Sequence, residues 1–236
     1  MKENHTPHRI RSYVPRGRRT SAQELAYQTY WPTFGLSVTT EKLDWQAVFG
    51  CQAPVYLEIG FGSGQSLLAL AESRPDINLI GVETHQPGIG ALLMGIAERQ
   101  IDNLRVFYSD VNDVLLQCIP NASLAGVQIF FPDPWPKRRH HQRRLIQTSF
   151  IELLMQKLTD DGELHFATDW EHYATHMMSV VSEIPGLQNQ AGPNQFAPRS
   201  FLRPTITKFE NRALREGRVI RDIQLKMIQR AIAVPV

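Results

Sequence analysis

Four carboxylates stand at corresponding points in successive apolar segments of this 236-residue chain. Each segment is a short run of leucine, β-branched and aromatic residues, which is typical of a strand buried in a parallel sheet. Because the carboxyl ends of parallel strands meet at one edge, where such sheets bind ligands, the acids should converge there. Together they predict an acidic crevice with several hydrogen-bond acceptors. They are Glu58, Glu83, Asp110 and Asp133.

A glycine-rich loop follows the first of these acids. Gly60, Gly62 and Gly64 stand between a predicted strand and a predicted helix, where glycine permits a tight turn and close approach to a ligand. In a dinucleotide-binding loop the third glycine would stand where Gln65 is, so the loop disfavours NAD and FAD. The loop resembles motif I of the S-adenosylmethionine-dependent methyltransferases with a Rossmann-like fold. This resemblance implies S-adenosylmethionine as the cofactor.

The most specific part of the sequence is a proline-rich segment after the fourth predicted strand. It reads Phe130-Phe131-Pro132-Asp133-Pro134-Trp135-Pro136-Lys137-Arg138-Arg139-His140. This segment resembles the signature of the tRNA (guanine-N7)-methyltransferase family, bacterial single-chain type. The resemblance covers nearly the whole chain, through residues 11–13, 30–32, 167–170, 203–204 and 207–210. One departure is that two residues, Thr205 and Ile206, separate the last two motifs, where the family usually has one.

The family resemblance implies a role for each matching residue. The residues implied for cofactor binding are Glu58, Gly60, Gly62, Gly64, Glu83, Asp110 and Asp133. The residues implied for substrate binding are Lys137, Asp169, Thr207, Lys208, Phe209 and Glu210. The implied activity is that of a tRNA (guanine-N7-)-methyltransferase, whose product is 7-methylguanosine in the tRNA variable loop, at position 46.

The chemistry of guanine N7 agrees with these roles. N7 has a free lone pair and no proton, so its methylation requires positioning rather than a general base. Positive charge develops on the purine, and a nearby carboxylate would stabilise it. We therefore expect Asp133 to be the catalytic residue, with Asp169 as second candidate. Asp169 or Glu210 could accept hydrogen bonds from the Watson–Crick edge of a flipped guanine, and Trp135 could stack on the base or anchor the loop.

The net charge of +2 conceals opposite charges in different parts of the chain. Residues 41–131 contain ten acidic and four basic residues, a net charge of −6, so the remainder carries +8. The basic excess lies in residues 1–19, 137–144 and 203–221. This pattern predicts a polyanion beside the acidic crevice and favours tRNA as the partner. We expect phosphate contacts from Arg138, Arg139, Arg143 and Arg144.

Apolar periodicity indicates five alternations of strand and helix. Strands are predicted over 55–59, 78–83, 104–108, 127–131 and 164–168, and helices over 22–31, 66–73, 88–100, 111–118, 143–158 and 171–182. This order predicts an α/β fold with a doubly wound, mostly parallel sheet covered on both faces. We expect a basic arm and short helix over residues 1–35 and one methyltransferase domain over 36–236. Cations at the start of the helix predicted over 143–158 would oppose its dipole, which again favours a phosphate partner.

Composition and residue spacing exclude other classes. The chain is 42% hydrophobic and 20% charged, as in folded globular proteins, and it has no apolar run long enough to span a membrane. His172 and His176 share a helical face without a third ligand, so no metal site is expected. The two cysteines form no disulfide framework, so we expect a reducing, cytoplasmic location. No obligate protein partner is implied, and the oligomeric state stays open.

Two alternative functions stay open at this point. The protein could be a methyltransferase for another RNA or for a protein, whereas the basic flanks argue against a small-molecule substrate. It could also be a non-catalytic tRNA-binding scaffold. The presence of all four crevice carboxylates argues against this second alternative.

Overall fold

Eight strands form one sheet within residues 17–200 and 202–228, the part of the chain that the computed structural model describes. They are β1 (Gly35–Leu36), β2 (Val55–Ile59), β3 (Asn78–Glu83), β4 (Leu104–Tyr108), β5 (Leu124–Phe130), β6 (Leu158–Thr168), β7 (Leu187–Asn189) and β8 (Arg221–Met227). Their order is β1-β4-β3-β2-β5-β6-β8-β7. The pairs among β1 to β6 are parallel, and β8 is antiparallel to β6 and β7.

Helices cover both faces of this sheet. They are α1 (Ser21–Phe34), α2 (Trp45–Phe49), α3 (Gln65–Ser73), α4 (Gln86–Arg99), α5 (Val111–Asp113), α6 (Thr148–Lys157), α7 (Glu171–Ser182) and α8 (Lys208–Arg215). One apolar cluster joins the sheet to α1, α3 and α4, and a second joins it to α6 and α7. The predicted doubly wound α/β fold is therefore confirmed. No helix in the described part of the chain is long and apolar enough to cross a membrane.

Strand β2 lies at the topological switch point of the sheet. Leu57 and Ile59 are buried in the cluster beneath α6 and α7, whereas Tyr56 packs towards the other face. The next strand in the chain, β3, pairs on one side of β2, and β5 pairs on the other. Crevices open at such a switch point, beyond the carboxyl ends of the strands.

The strongest patterns in the sequence predicted their elements correctly. Strands β2, β3 and β4 and helix α7 have the predicted bounds, and α1, α3 and α4 differ from prediction by at most three residues at each end. The helix predicted over 111–118 is a short α-helical turn that continues as a π-helical turn, Val114–Cys118.

The helix predicted over 143–158 is wrong in its first turn. The structure has a 3₁₀ turn over Arg138–Arg143 and an extended segment before α6 begins at Thr148. The extended segment is held by tertiary contacts, because the Ile146 N–H donates to the hydroxyl of Tyr173 at 3.2 Å. The basic cluster therefore precedes α6 as a separate turn, and its cations do not stand at the start of that helix.

Candidate active site

A cleft of about 830 Å³ opens at the carboxyl edge of the sheet, at the end of β2. Its walls are the glycine-rich loop, the end of β3, the segment after β5 and the start of α8. Eight residues predicted to bind cofactor or substrate line this cleft. They are Glu58, Gly60, Gly62, Glu83, Asp133, Thr207, Lys208 and Phe209.

The backbone of the glycine-rich loop requires glycine. Gly60, Gly62 and Gly64 have φ angles of 75°, 61° and 76°, in the left-handed region. Helix α4 packs close to this loop, because a Cβ on Gly88 would lie 2.1 Å from the carbonyl oxygen of Gly62. Gly64 packs against Leu92 and is absent from the cleft lining, so it shapes the turn without facing the cleft.

Glu83 organises the loop as well as lining the cleft. Its Oε2 accepts a hydrogen bond from the N–H of Gly62 at 2.9 Å. Its Oε1 accepts from the N–H groups of Thr84 at 2.6 Å and His85 at 3.0 Å. The carboxylate at the end of β3 therefore joins the glycine-rich loop to the start of α4.

Glu58 brings an incompletely bonded carboxylate into the cleft. It is only 4% exposed, and its Oε2 has no hydrogen-bond partner among the described residues. Burial, followed by repulsion from Glu83, raises the pKa of Glu58 to about 8. The hydroxyl of Ser66, in the first turn of α3, is likewise buried and unbonded within that set.

These groups fit S-adenosylmethionine, which has a sulfonium cation, an ammonium group and ribose hydroxyls. A buried acceptor without a partner is unfavourable in the free protein, and a cationic donor completes its bonding. The residues that would hold the cofactor are Glu58, Ser66 and Glu83, with the backbone of the glycine-rich loop close enough for contact.

Asp110 is placed differently from the other three acids. Its Oδ1 accepts from the N–H of Asn112 at 2.9 Å, so the carboxylate caps α5. Its neighbours Ser109 and Val111 line the cleft, whereas Asp110 does not. A contact from Asp110 to the cofactor stays a prediction.

The segment after β5 has two strained residues. Phe131 and Trp135 have φ angles of 51° and 42°, a region that large side chains rarely adopt. Trp135 lines the cleft, with the guanidinium of Arg143 5.1 Å from its ring centroid. Asp133 lies between two prolines, and desolvation in the cleft raises the pKa of its carboxyl above the ordinary value.

Helix α8 presents an aromatic ring at the cleft. Thr207 caps this helix and shares reciprocal hydrogen bonds with Glu210, a capping box. Phe209 is 61% exposed and stacks on Phe131, with ring centroids 6.4 Å apart and planes 16° from parallel. Lys208 is exposed at the same wall.

Glu210 cannot read guanine in the way that we predicted. It is 2% exposed, and its Oε1 lies 2.7 Å from Nη1 of Arg203 and 3.0 Å from Nε of Arg199. Its Oε2 accepts from the N–H of Thr207 at 3.2 Å. Both carboxylate oxygens are thus paired within the protein, and we correct the role of Glu210 to a structural one.

Arg203 forms the centre of this buried network. Its Nη2 donates to both carboxylate oxygens of Asp222, at 2.9 and 2.7 Å, and Asp222 also contacts His165 at 2.7 Å. The guanidinium lies 5.7 Å from the ring centroids of Phe130 and Phe131. Arg203 therefore links α8, β8 and the segment after β5, and it does not belong to the predicted basic surface.

Arg144 lies in the interior and not at the surface. It is fully buried, its Nε donates to the carbonyl of Pro134 at 3.0 Å, and its Nη2 lies 3.2 Å from Nδ1 of His172. The predicted phosphate contact from Arg144 is therefore wrong, because the side chain supports the proline-rich segment from inside.

The remaining predicted RNA contacts are exposed. Lys137, Arg138, Arg139 and Arg143 lie on or beside the 3₁₀ turn, at the protein surface. The C-terminal basic stretch is largely neutralised instead, because its cations are paired with acids. These pairs are Arg212–Glu216, Arg218–Asp169 and Arg221–Glu171. Asp169 lines a second cleft, at the carboxyl end of β6.

Ser66 and Phe131 are among the cleft residues that we did not predict from the sequence. The position of Ser66 directly after the glycine-rich loop was the only local signal for it. Phe131 stood within the proline-rich segment, and its contact with Phe209 depends on residues far apart in the chain.

Comparison with known proteins agrees with this geometry. Residues 52–223 match a family model described as "Putative methyltransferase". A tRNA (guanine-N(7)-)-methyltransferase of Idiomarina loihiensis is 49% identical over 92% of this chain and 89% of its own length. A protein of the same name from Shewanella amazonensis is 47% identical over 94% of this chain and 93% of its own length. Another, from Vibrio parahaemolyticus, is 49% identical over 93% of this chain and 92% of its own length.

Solved structures resemble this chain in fold. The 16S rRNA methyltransferase KamB superposes with a TM-score of 0.58 at 11% identity, over 79% of this chain and 94% of its own. The antibiotic-resistance methyltransferase Kmr superposes with a TM-score of 0.55 at 16% identity, over 82% of this chain and 96% of its own. Fold, cleft and close relatives agree, and the chain belongs to the tRNA (guanine-N(7)-)-methyltransferase family.

Proposed function

We propose that this protein transfers the methyl group of S-adenosylmethionine to N7 of the guanosine at position 46, in the variable loop of tRNA. The names of its relatives support tRNA as substrate and guanine N7 as acceptor. The observation that carries the proposal is the cleft, which combines Asp133 and an exposed aromatic ring with Glu58, whose Oε2 has no hydrogen-bond partner among the described residues. The resemblance of the proline-rich segment to the family signature supports the variable-loop position.

The deep part of the cleft suits the cofactor. When bound, S-adenosylmethionine supplies an electrophilic methyl group on a cationic sulfonium. The carboxylate of Glu58 would balance positive charge there, and Glu83 keeps the loop and the start of α4 in one arrangement. The chain's contribution at this end is binding and orientation.

The mouth of the cleft suits the guanine. A target base must leave its stack to enter a cleft, and Phe209, backed by Phe131, offers a flat apolar surface for it. N7 needs no deprotonation, so no side chain has to act as a base. Asp133, which lines the cleft, would stabilise positive charge that develops on the purine.

Mapping of the modified nucleotide tests the proposal. Purified protein and labelled S-adenosylmethionine are incubated with an unmodified tRNA transcript, which is then reduced and cleaved with aniline at 7-methylguanosine. Cleavage is expected at position 46, and a transcript with adenosine at that position should not be labelled. Cleavage at another guanosine would contradict the position, and absence of label from tRNA would contradict the function.

A further inference from the structure

A second cleft, of about 930 Å³, opens at the same edge of the sheet as the first. Asp169 and Trp170, which follow β6, belong to its lining. Strands β5 and β6 are neighbours, and the N–H of Phe131 donates to the carbonyl of Ala167 at 2.8 Å. The segments that lead into the two clefts therefore leave adjacent strands, and the second cleft contains Asp169, a residue that the family resemblance implies for substrate binding.

One wall of the second cleft is a polar stripe on α7. His172, Thr175, His176 and Ser179 lie at helical spacings of three and four residues, so they share one face of the helix. This face supplies two imidazoles and two hydroxyls. Hydroxyl groups and imidazoles of this kind bind ribose hydroxyls and phosphate oxygens.

The opposite wall contains two arginines, from the segment between α8 and β8 and from the first residue of β8. Arg218 pairs with Asp169 at 2.9 Å, and Arg221 pairs with Glu171 at 3.1 Å. The side chain of Glu171 is 78% exposed, whereas that of Arg221 is 19% exposed and lies 5.8 Å from the ring centroid of Phe196. Arg221 is therefore held in position by the protein, while its carboxylate partner is open to solvent, where a phosphate can replace it.

The basic turn Arg138–Arg143 contacts both clefts. Arg143 lines the first cleft beside Trp135. On the other side of the turn, the ring of His141 lies 4.9 Å from the ring of His172, a residue of the second cleft. A polyanion that follows this turn would thus pass from one cleft to the other.

We propose that the second cleft binds the nucleotide next to the target guanosine, through its phosphate and ribose hydroxyl. This inference rests on the proposed function. When a target base enters the first cleft, the next nucleotide of the strand stays close to it, and the second cleft opens at the same edge of the sheet, at the end of the neighbouring strand β6. Arg221 contacts the phosphate, the hydroxyls of α7 contact the ribose, and Trp170 offers a face for the base.

The test compares tRNA binding by two variants of the second cleft and one control variant. The control residue lies on β8, the strand that also carries Arg221. Arg221→Gln removes the cation, and Ser179→Trp fills the cleft from an exposed position without changing charge. Lys226→Gln is the control, because Lys226 also pairs with an exposed acid but lies at the opposite edge of the sheet. Dissociation constants for an unmodified tRNA transcript are measured from 50 to 300 mM salt (a range chosen for the assay).

We expect Arg221→Gln to weaken binding and to make the salt slope shallower by about 1, the effect of one lost phosphate contact. Ser179→Trp should weaken binding several-fold, and Lys226→Gln should match wild type. All three should bind S-adenosylmethionine normally, which confirms an intact first cleft. Cleft variants that bind tRNA as the control does would overturn the proposal. Wild-type protein that fails to methylate tRNA would instead contradict the proposed function.

Discussion

Two carboxylates of the cleft have different surroundings and therefore different expected roles. Glu58 is buried, with one oxygen unbonded among the described residues, and its pKa is about 8. Asp133 lies between prolines in the strained segment after β5, and desolvation raises the pKa of its carboxyl above the ordinary value. The buried Glu58 suits the permanent positive charge of the cofactor. Asp133, at the mouth of the cleft, suits the positive charge that develops on the substrate during methyl transfer.

The pKa of Glu58 predicts that cofactor binding releases a proton. Below pH 8 the free carboxyl is mostly neutral, and a cationic ligand binds its ionised form, so the affinity for S-adenosylmethionine should rise up to about tenfold per pH unit until pH 8. Calorimetry at pH 7 in two buffers should detect release of roughly one proton. In Glu58→Gln both effects should disappear. Wild-type binding without proton release would contradict this assignment.

Asp133→Asn should reduce the rate of methyl transfer by about 10²-fold while tRNA and cofactor bind almost normally, because the amide keeps the shape of the side chain and loses its charge. Single-turnover kinetics with saturating tRNA measures this step. Asp161→Asn is the matched control, since that acid is exposed and lies at the opposite edge of the sheet. A rate similar to that of the control would exclude Asp133 from the mechanism.

At the scale of elements, a buried ionic network fixes the start of α8. Arg203 is 1% exposed and pairs with Glu210 of α8 and with Asp222 of β8, while its guanidinium lies against Phe130 and Phe131. The cleft wall that carries Phe209 therefore depends on a buried ionic network and not only on apolar packing.

Arg203→Met should destabilise the protein by about 3–5 kcal/mol, because it removes the buried cation that two buried carboxylates share. Urea unfolding measures the free energy. Arg99→Met is the control, since Arg99 forms an exposed pair with Glu72 at 3.0 Å that is worth about 0–1 kcal/mol. Equal losses in the two variants would show that the Arg203 network contributes no more than a surface pair.

At the scale of the whole molecule, acidic and basic residues are concentrated at different sites. The acidic middle of the sequence supplies Glu58 and Glu83 to the cleft, whereas exposed cations lie on the turn Arg138–Arg143 beside it. The C-terminal basic stretch contributes less than its composition indicates, because most of its cations are paired. The basic turn should therefore provide most of the tRNA affinity from the described residues.

Neutralising Arg138, Arg139 and Arg143 to glutamine should weaken tRNA binding and make its salt slope shallower by about 2–3, one unit for each lost phosphate contact. Filter binding over a range of salt concentrations measures both quantities. Arg74→Gln with Arg99→Gln is the control, because both arginines lie at the ends of helices on the amino side of the sheet. An unchanged slope in the triple variant would place the RNA surface elsewhere.

The sequence by itself determined the fold class and the edge at which the cleft forms. Local apolar runs are sufficient to predict buried strands such as β2, β3 and β4, since side-chain periodicity depends only on neighbouring residues. Once the strands are parallel, acids that follow them meet at one edge, as Glu58, Glu83 and Asp133 do.

Only the tertiary structure decided which charged side chains face a ligand. Arg144, Arg203 and Glu210 look like surface residues in the sequence, yet all three are buried. Their partners lie far away in the chain, as for Arg203 with Asp222 and Arg144 with His172. Burial of a charge depends on whether folding brings an opposite charge or a hydrogen-bond acceptor to it, and no local pattern contains that information.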